Sequence, residues 1–393
     1  MSSTSGRIVA GALAAVFAVV AVGLVALWPS EDRARVGALP PGEIVGATVQ
    51  RVTGEGCEHL TGQACQLATV TLTSGPDAGR GSYLALPSTQ FAPALQAGDH
   101  IRVARNTSPD GPPPALDDPE RQPLAFVDFE RGRALVLLAF LFAVLVVVLA
   151  RWQGLRSLIG LGVSLVIVIG WMVPSILSGH PPLAAGLIGG LAVMLATTAL
   201  THGLGLKSAA AMLGAAATII LIVALGAVAV DLAHITGMSS DEAGVIDARG
   251  QGQVSIQGLV LAGIVIASLG VLDDVTISQS STVLALRRAS PGMPAGQLFR
   301  EAMVVGRDHL GATVNTLVLA YAGASLPVLL VLAGQGTGFL DAIEFEQVAG
   351  VVVATLVGSI GLLAAVPLTT ALATLLAVRT PTARLARRRV HAH

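Results

Sequence analysis

Long uninterrupted apolar runs constrain the fold of this chain more than any other feature of its sequence. A helix needs about 20 mostly apolar residues to cross the hydrocarbon core of a bilayer. Eight runs approach or exceed that length, at 8–28, 134–150, 157–177, 183–200, 208–230, 256–272, 312–333 and 348–378. Only 12% of the 393 residues are charged, about half the usual share in a soluble domain. The runs therefore predict an α-helical polytopic membrane protein with about eight transmembrane helices.

The stretch between the first two runs has a different character. Short segments at 42–52, 65–73, 82–87 and 98–105 are separated by Gly, Pro and Asp residues. This pattern is typical of short β-strands joined by turns. We predict a small β-rich extracytoplasmic domain, a barrel or sandwich, at 40–105. The remaining predicted parts are an N-terminal transmembrane anchor at 1–30, a Pro-rich linker at 106–132, a seven-helix membrane domain at 133–378 and a basic cytoplasmic tail at 379–393.

The first run is longer than the apolar part of an ordinary signal peptide, and no A-x-A cleavage site follows it. An uncleaved anchor is therefore favoured over a signal peptide. With the N-terminus inside, the cytoplasmic segments hold 13 of the 23 Lys and Arg residues but 4 of the 24 acidic residues. This bias follows the positive-inside rule and predicts that both termini are cytoplasmic and that residues 40–130 are extracytoplasmic.

Cys57 and Cys65 are the two cysteines of the chain, and both lie in the predicted outer domain. In an oxidising compartment their spacing favours a disulfide that closes a hairpin. Free thiols and a metal site are the alternatives. The acidic outer loop at 231–255 also matches no metal-binding motif, so we expect neither a metal nor a cofactor.

Several classes of function are disfavoured. The net charge of −1 argues against a nucleic-acid partner, which needs a concentrated basic surface. The chain contains no P-loop, no H-E-x-x-H and no G-x-S-x-G pattern. We therefore expect that it is not an enzyme.

Small residues suggest where the helices approach each other. The chain has 45 glycines, and small residues allow close contact between helix backbones in lipid. Two small-x-x-x-small patterns, Gly186 with Gly190 and Gly263 with Ala267, predict two such packing faces.

Adjacent carboxylates close the sixth run and are the strongest candidates for chemistry. Carboxylates in membrane helices usually face a bundle interior or an aqueous cavity. If the helix continues, polar side chains form two neighbouring stripes: Asp274, Ser278 and Ser281 on one, and Asp273, Thr276 and Ser280 on the other. Such oxygen-rich faces suit a hard cation or a proton relay. The alternative is that the helix ends here and that the pair is solvated or caps a following helix.

The seventh run opens with further polar residues. Arg307 and Asp308 lie at its cytoplasmic entrance, where they are candidates to pair with the two aspartates. Asn315 and Thr316 are polar positions in the apolar region that follows. Because an asparagine in lipid seeks a partner on another helix, helix packing is the alternative to a place on a transport path.

Several of these segments together resemble the YibE/F family of bacterial multi-pass membrane proteins. The matching segments begin at Leu200 (LTHGL), Ile235 (ITGMSSDEA), Gly270 (GVLDDVTIS), Gly306 (GRDHLGATVNTLVLAYAGASLP) and Val366 (VPLTT). With the N-terminal anchor and the β domain, the resemblance covers nearly the whole chain. It implies a bacterial plasma-membrane protein of permease type. The Asp-Val pair of the family corresponds to Asp274-Val275, which makes Asp274 the better candidate of the two aspartates.

We therefore predict a membrane transporter or permease of unknown substrate, with a cation- or proton-handling path at the sixth and seventh helices. The predicted path residues are Asp273, Asp274, Thr276, Ser278, Ser281, Arg307, Asp308, Asn315 and Thr316. The alternative is a non-transporting scaffold or envelope sensor that acts through the β domain. Expected partners are the lipid bilayer and a small solute or ion, with a second copy of the chain or an envelope protein as further candidates.

Overall fold

The computed structural model describes residues 4–30, 44–53, 65–87, 93–106, 115–118, 123–239, 241–250 and 254–380. The chain divides into two compact units. One consists of residues 37–145, and the other joins residues 1–36 to residues 146–393.

The first unit contains one antiparallel sheet. Its strands are β1 (Ile44–Thr53), β2 (Cys65–Leu72), β3 (Gly81–Pro87), β4 (His100–Arg105) and β5 (Leu124–Phe129). They follow the order β3-β2-β1-β4-β5. Because β3 and β5, the two edges, also lie close together, the sheet curls into a partly closed barrel.

Alternation along the strands builds the core of the sheet. Ala47 is paired with both Leu72 and Ile101, and all three side chains are buried. A β-bulge between Val49 and Arg51 interrupts the β1–β2 register, and such a bulge bends and twists a strand. The strand β1 is the central strand of the sheet, because it pairs with β2 on one side and with β4 on the other.

All four segments predicted as strands contain strands, but the predicted linker differs. Residues 124–129 form β5, and Leu124 pairs with Arg105. Leu116 is also buried against the sheet. The six prolines of the segment indicated an extended linker, whereas the apolar residues that follow them form the fifth strand of the barrel.

Cys65 begins β2, is buried and is disulfide-bonded. Cys57 lies outside the described residues, so its pairing with Cys65 stays a prediction.

The other regular elements among the described residues are helices. The helices are α1 (Thr4–Ala26), α2 (Gly132–Ile167), a π-helical segment (Val168–Met172), α3 (Val173–Leu177), α4 (Pro182–His202), α5 (Leu206–Leu232), α6 (Asp241–Gly250), α7 (Ile256–Ala289), α8 (Ala295–Ala324), α9 (Leu326–Gly334), α10 (Phe339–Glu344) and α11 (Glu346–Arg379).

Six helices in the described part of the chain are long and apolar enough to cross a membrane. A seventh candidate is α8 with α9, which meet at a bend of 56°. The predicted runs 134–150 and 157–177 fall within one helical stretch of 46 residues, Gly132–Leu177. Its backbone leaves helical geometry at Arg151 (φ 52°, ψ −133°). The polar residues after Leu149 suggested a loop, but helical structure resumes immediately after that single break.

Pro174 explains the π-helical segment before α3. Proline has no N–H, and its ring conflicts with the carbonyl four residues earlier, here that of Gly170. The wider π turn accommodates this conflict and leaves Trp171 and Met172 buried. Trp171 Nε1 donates a hydrogen bond to the Leu24 carbonyl oxygen (3.2 Å), which ties this segment to α1.

The centre of the membrane unit is formed by α4, α5, α7 and α11, with α8 packed against α7 and α11. The first predicted small-residue face is confirmed. A Cβ atom added at Gly186 would lie 2.8 Å from Ala262 Cβ, and one added at Gly190 would lie 2.5 Å from Leu269 Cδ1. The two glycines therefore allow α4 to lie close against α7.

The second predicted small-residue face is wrong. Gly263 and Ala267 are exposed, and nothing lies within 4 Å of a Cβ added at Gly263. The small residue that α7 places in the contact is Ala262, one position earlier, because the helix presents that side to α4.

We expect Gly186→Leu to destabilise the protein by about 1–3 kcal/mol, because the new side chain meets the backbone-proximal atoms of Ala262 and cannot be accommodated by rotamer changes. Gly263→Leu is the matched control, since it enters open space. The measurement is the melting temperature of each purified variant in detergent. Equal melting temperatures would contradict close packing of α4 against α7.

Candidate functional site

The two adjacent aspartates lie in the middle of α7. The helix is continuous over its 34 residues, so Asp273 is about 25 Å from either end. The alternative in which the helix stops at the aspartates and one of them caps a following helix is therefore excluded. Both carboxylates belong to one long helix, and they point to different sides of it.

Asp273 is directed toward α4. Its Oδ1 accepts a hydrogen bond from Thr198 Oγ1 (2.9 Å), and its Oδ2 accepts one from Thr197 Oγ1 (3.2 Å). Thr276 is buried nearby, but its hydroxyl donates to the backbone carbonyl of Asp273 rather than to the carboxylate (3.2 Å). The carboxylate is thus held at the α4–α7 contact by two hydroxyl groups.

The two threonines differ in their other partners. Thr197 Oγ1 also lies within hydrogen-bond distance of the carbonyl oxygens of Val193 (2.9 Å) and Met194 (3.1 Å). One hydroxyl hydrogen cannot serve three acceptors fully, so Thr197 is able to turn from the carboxylate to its own helix. Thr198 makes the shorter bond to Asp273 and is the firmer support.

A basic pair lies at the end of α4, close to this carboxylate. His202 Nδ1 is 3.3 Å from the amine of Lys207, the single lysine of the chain. His202 also interacts electrostatically with Asp273. The tight turn between α4 and α5 therefore places a histidine, with Lys207 beside it, toward the same end of the site.

Asp274 is directed away from the interior. Its side chain is 79% exposed, and its ionisable partner is His309, with Nε2 3.9 Å from Oδ2. Arg307 and Asp308 are exposed and make no ion pair with any residue that the structure describes. The expected pairing of these two residues with the aspartates is therefore not found, because α8 directs His309 toward α7 instead.

The remaining predicted path residues are also peripheral. Asn315 and Thr316 are exposed on α8, and the Thr316 hydroxyl bonds to the carbonyl of Ala312 in its own helix (2.9 Å). Ser278 and Ser281 are partly buried, and Ser281 bonds to the carbonyl of Ile277 (2.7 Å). Of the predicted set, Asp273 and Thr276 belong to the interior, while Asp274 and the α8 residues form a separate outer group.

Gln279 is an interior polar residue that sequence reasoning missed. Its Nε2 donates to the carbonyl of Ala302 in α8 (2.8 Å) and to Thr370 Oγ1 in α11 (2.7 Å). A Cβ added at Gly306 would lie 2.9 Å from Gln279 Oε1, so a glycine is needed where α8 passes. One amide therefore joins three helices.

Further hydroxyl groups in the interior have no hydrogen-bond partner within the described part of the chain. They belong to Ser175, Ser280, Ser359, Thr369 and Thr374. Buried polar groups are normally satisfied, so these oxygens lack the usual partner within the described part of the chain.

Thr197 and Thr198 were also missed. The available signal was a pair of adjacent hydroxyls in an apolar run, five and four residues before His202. The signal for Gln279 was an amide within a run of serines and threonines on α7.

The chemistry of the interior site is that of oxygen ligands. A carboxylate and two hydroxyls suit a hard cation or a proton. Among the described residues, no group of three or more His, Cys, Asp and Glu side chains is arranged to hold a metal ion.

The chain matches the family described as YibE/F-like protein over residues 138–379. No curated protein and no solved structure matches the chain. The family match spans α2 to α11, including α4, α7 and α8, which carry the candidate residues, and covers more than half of the chain. The chain belongs to the YibE/F-like protein family.

Proposed function

We propose that this protein is a membrane transporter that moves a small cation or a proton, and that Asp273 is its ion-binding group. The observation that carries the proposal is the Asp273 carboxylate at the contact between two membrane helices, held there by Thr197 and Thr198.

A carboxylate within a membrane helix costs free energy, so its presence there indicates a function. Charged groups within membrane helices are rare and mark ion paths or proton relays. Asp273 forms no salt bridge with any described residue, so its negative charge is only partly compensated by the two hydroxyl bonds. Such a group attracts a cation or a proton.

The two threonines supply a way to exchange ligands. When Thr197 turns to the carbonyl of Val193 or Met194, Asp273 Oδ2 is released while Thr198 still holds Oδ1. A cation then binds the freed oxygen together with hydroxyl lone pairs, or a proton binds it directly. Movement of one hydroxyl therefore opens the site without moving a helix.

Unpartnered hydroxyls support a path from Asp273 toward the Ala289 end of α7. Gln279 contacts Thr370 and so sets the level of α7 against α11. Ser280 and Thr374 then lie about 5 Å apart along the bundle axis, and both have hydroxyls without a partner among the described residues. These groups offer hydrogen bonds to a hydrated ion that approaches Asp273.

The orientation of the protein is part of the proposal. Treating 134–150 and 157–177 as two spans that meet at Arg151, and α8 with α9 as one, gives eight spans in a bacterial plasma membrane. The excess of arginine at the ends of α7 and α11 then supports cytoplasmic termini and an extracytoplasmic segment at 40–130.

We expect Asp273→Asn to lower ion flux by roughly tenfold or more, because contacts to a charged group contribute about 1.5–3 kcal/mol. The measurement uses proteoliposomes with an imposed membrane potential, an internal pH dye for proton entry and radioactive sodium for cation entry. Asp274→Asn is the matched control and should retain the flux of the unmodified protein, since its side chain is exposed.

The opposite result, with Asp274→Asn inactive and Asp273→Asn active, would contradict the proposal and would assign ion binding to the exposed Asp274. Absence of any flux from the unmodified protein, for protons and for sodium alike, would instead favour the scaffold or sensor alternative.

We also expect Thr198→Val to destabilise the protein more in the native background than in the Asp273→Asn background, because the lost bond is made to a charged group only in the first. The difference should be about 0.5–3 kcal/mol in a double-mutant cycle of unfolding free energies. Thr197→Val should cost less, since its bond to Asp273 is longer and its hydrogen is shared. Identical effects of Thr198→Val in the two backgrounds would mean that this hydroxyl does not hold the carboxylate.

A further inference from the structure

The outward side of α8 has the wrong chemistry for lipid. The helix buries one stripe against the bundle, which consists of Leu298, Ala302, Gly306, Leu310 and Leu317. Asp308, Gly311 and Asn315 lie on the opposite side of the helix and are exposed. Arg307 flanks this line and is exposed as well.

Lipid chains are a poor cover for these groups. Asn315 lies inside the apolar run 312–333, and its amide makes no hydrogen bond to any described residue. An amide at that depth finds its partner on another helix. The charges of Arg307 and Asp308 likewise have no partner among the described residues. The outer line of α8 is therefore suited to contact with another protein surface.

We propose that this surface is the same face of a second copy of the chain, related by a two-fold axis along the membrane normal. Two copies inserted in the same orientation place every residue at the same depth in both. Such an interface is isologous, so a face is suitable only if it complements itself.

The charges on α8 meet this requirement. Arg307 and Asp308 are neighbours in the sequence and differ in depth by about 1.5 Å. Across a two-fold axis, Arg307 of each copy therefore lies at the depth of Asp308 of the other, and two ion pairs form. At Asn315 the two amides meet each other, and each is able to donate and to accept.

The backbone allows the necessary close approach. Nothing lies within 4 Å of a Cβ added at Gly311, so this part of α8 is open on its outer side. Gly311 lies between Asp308 and Asn315 on the same line, where it lets a second helix come near enough for both polar contacts. The proposed interface thus has two polar contacts, at Arg307 with Asp308 and at Asn315, and Gly311 lies between them on the same face of α8.

This pairing does not depend on ion transport, because it uses the outer group of polar residues and leaves Asp273 in the interior of each copy. Covering by lipid, by a different protein or by water are the competing outcomes.

Cysteine cross-linking in native membranes tests the proposal directly. We expect full-length Asn315→Cys to form a covalent dimer on mild oxidation, because the two positions meet at the axis. Ile360→Cys is the matched control: Leu317 and Ser268 both contact the position of Gly358, which places Ile360 close to the depth of Asn315, and Ile360 is 47% exposed on α11. The unmodified protein, with Cys57 and Cys65 only, gives the background. Equal cross-linking of Asn315→Cys and Ile360→Cys would overturn the proposal.

Charge exchange provides a second test that does not depend on cysteine chemistry. Arg307→Asp and Asp308→Arg each create facing like charges and should weaken the dimer by roughly tenfold or more, measured by single-molecule photobleaching in bilayers at varied protein density. The double variant restores opposite charges at matched depth and should recover the dimer. Failure of the double variant to recover it, while it remains folded by size-exclusion chromatography, would exclude this pairing, as would a monomeric unmodified protein.

Discussion

The close contact between α4 and α7 is the constraint on which the interior of this protein depends. Two glycines of α4 let its backbone lie against Ala262 and Leu269 of α7. Without that approach, the threonines near the end of α4 would not reach Asp273. Packing of small residues at one level of the bundle thus determines the electrostatics of a carboxylate a few turns further along the same pair of helices.

The other helices are joined by hydrogen bonds as well as by packing. Gln279 connects α7 to both α8 and α11 through one amide group. In a bilayer the hydrophobic effect does not hold helices together, so shape and interior hydrogen bonds must do so. The same helices carry hydroxyls that have no hydrogen-bond partner among the described residues. The interior therefore combines polar groups that join helices with hydroxyls that take no part in such joints.

Much of the architecture could be predicted from the sequence because it depends on local hydropathy and alternation. The apolar runs became helices, and the four alternating segments became strands. The break near Arg151 was harder to predict. A polar stretch between two apolar runs is compatible both with a loop and with a single irregular residue in a continuous helix. The strand at 124–129 was hidden by the prolines before it.

The choice between the two aspartates depended on information that local sequence does not contain. Helical spacing correctly separated the stripe of Asp273 from that of Asp274, but either stripe was able to face the interior. The outcome depends on Thr198, which lies 75 positions away in the chain. The family resemblance favoured Asp274, and the structure gives that residue an exposed position beside His309.

The lengths and directions of α7 and α11 have a mechanical consequence. Each has 34 residues, or about 51 Å of helix, against a hydrocarbon core of about 30 Å. They run in the same direction, since Ser268 lies beside Gly358 and Gln279 contacts Thr370. Both helices are therefore about 20 Å longer than the hydrocarbon core, so each must tilt or extend beyond it, and their shared contacts require them to do so together.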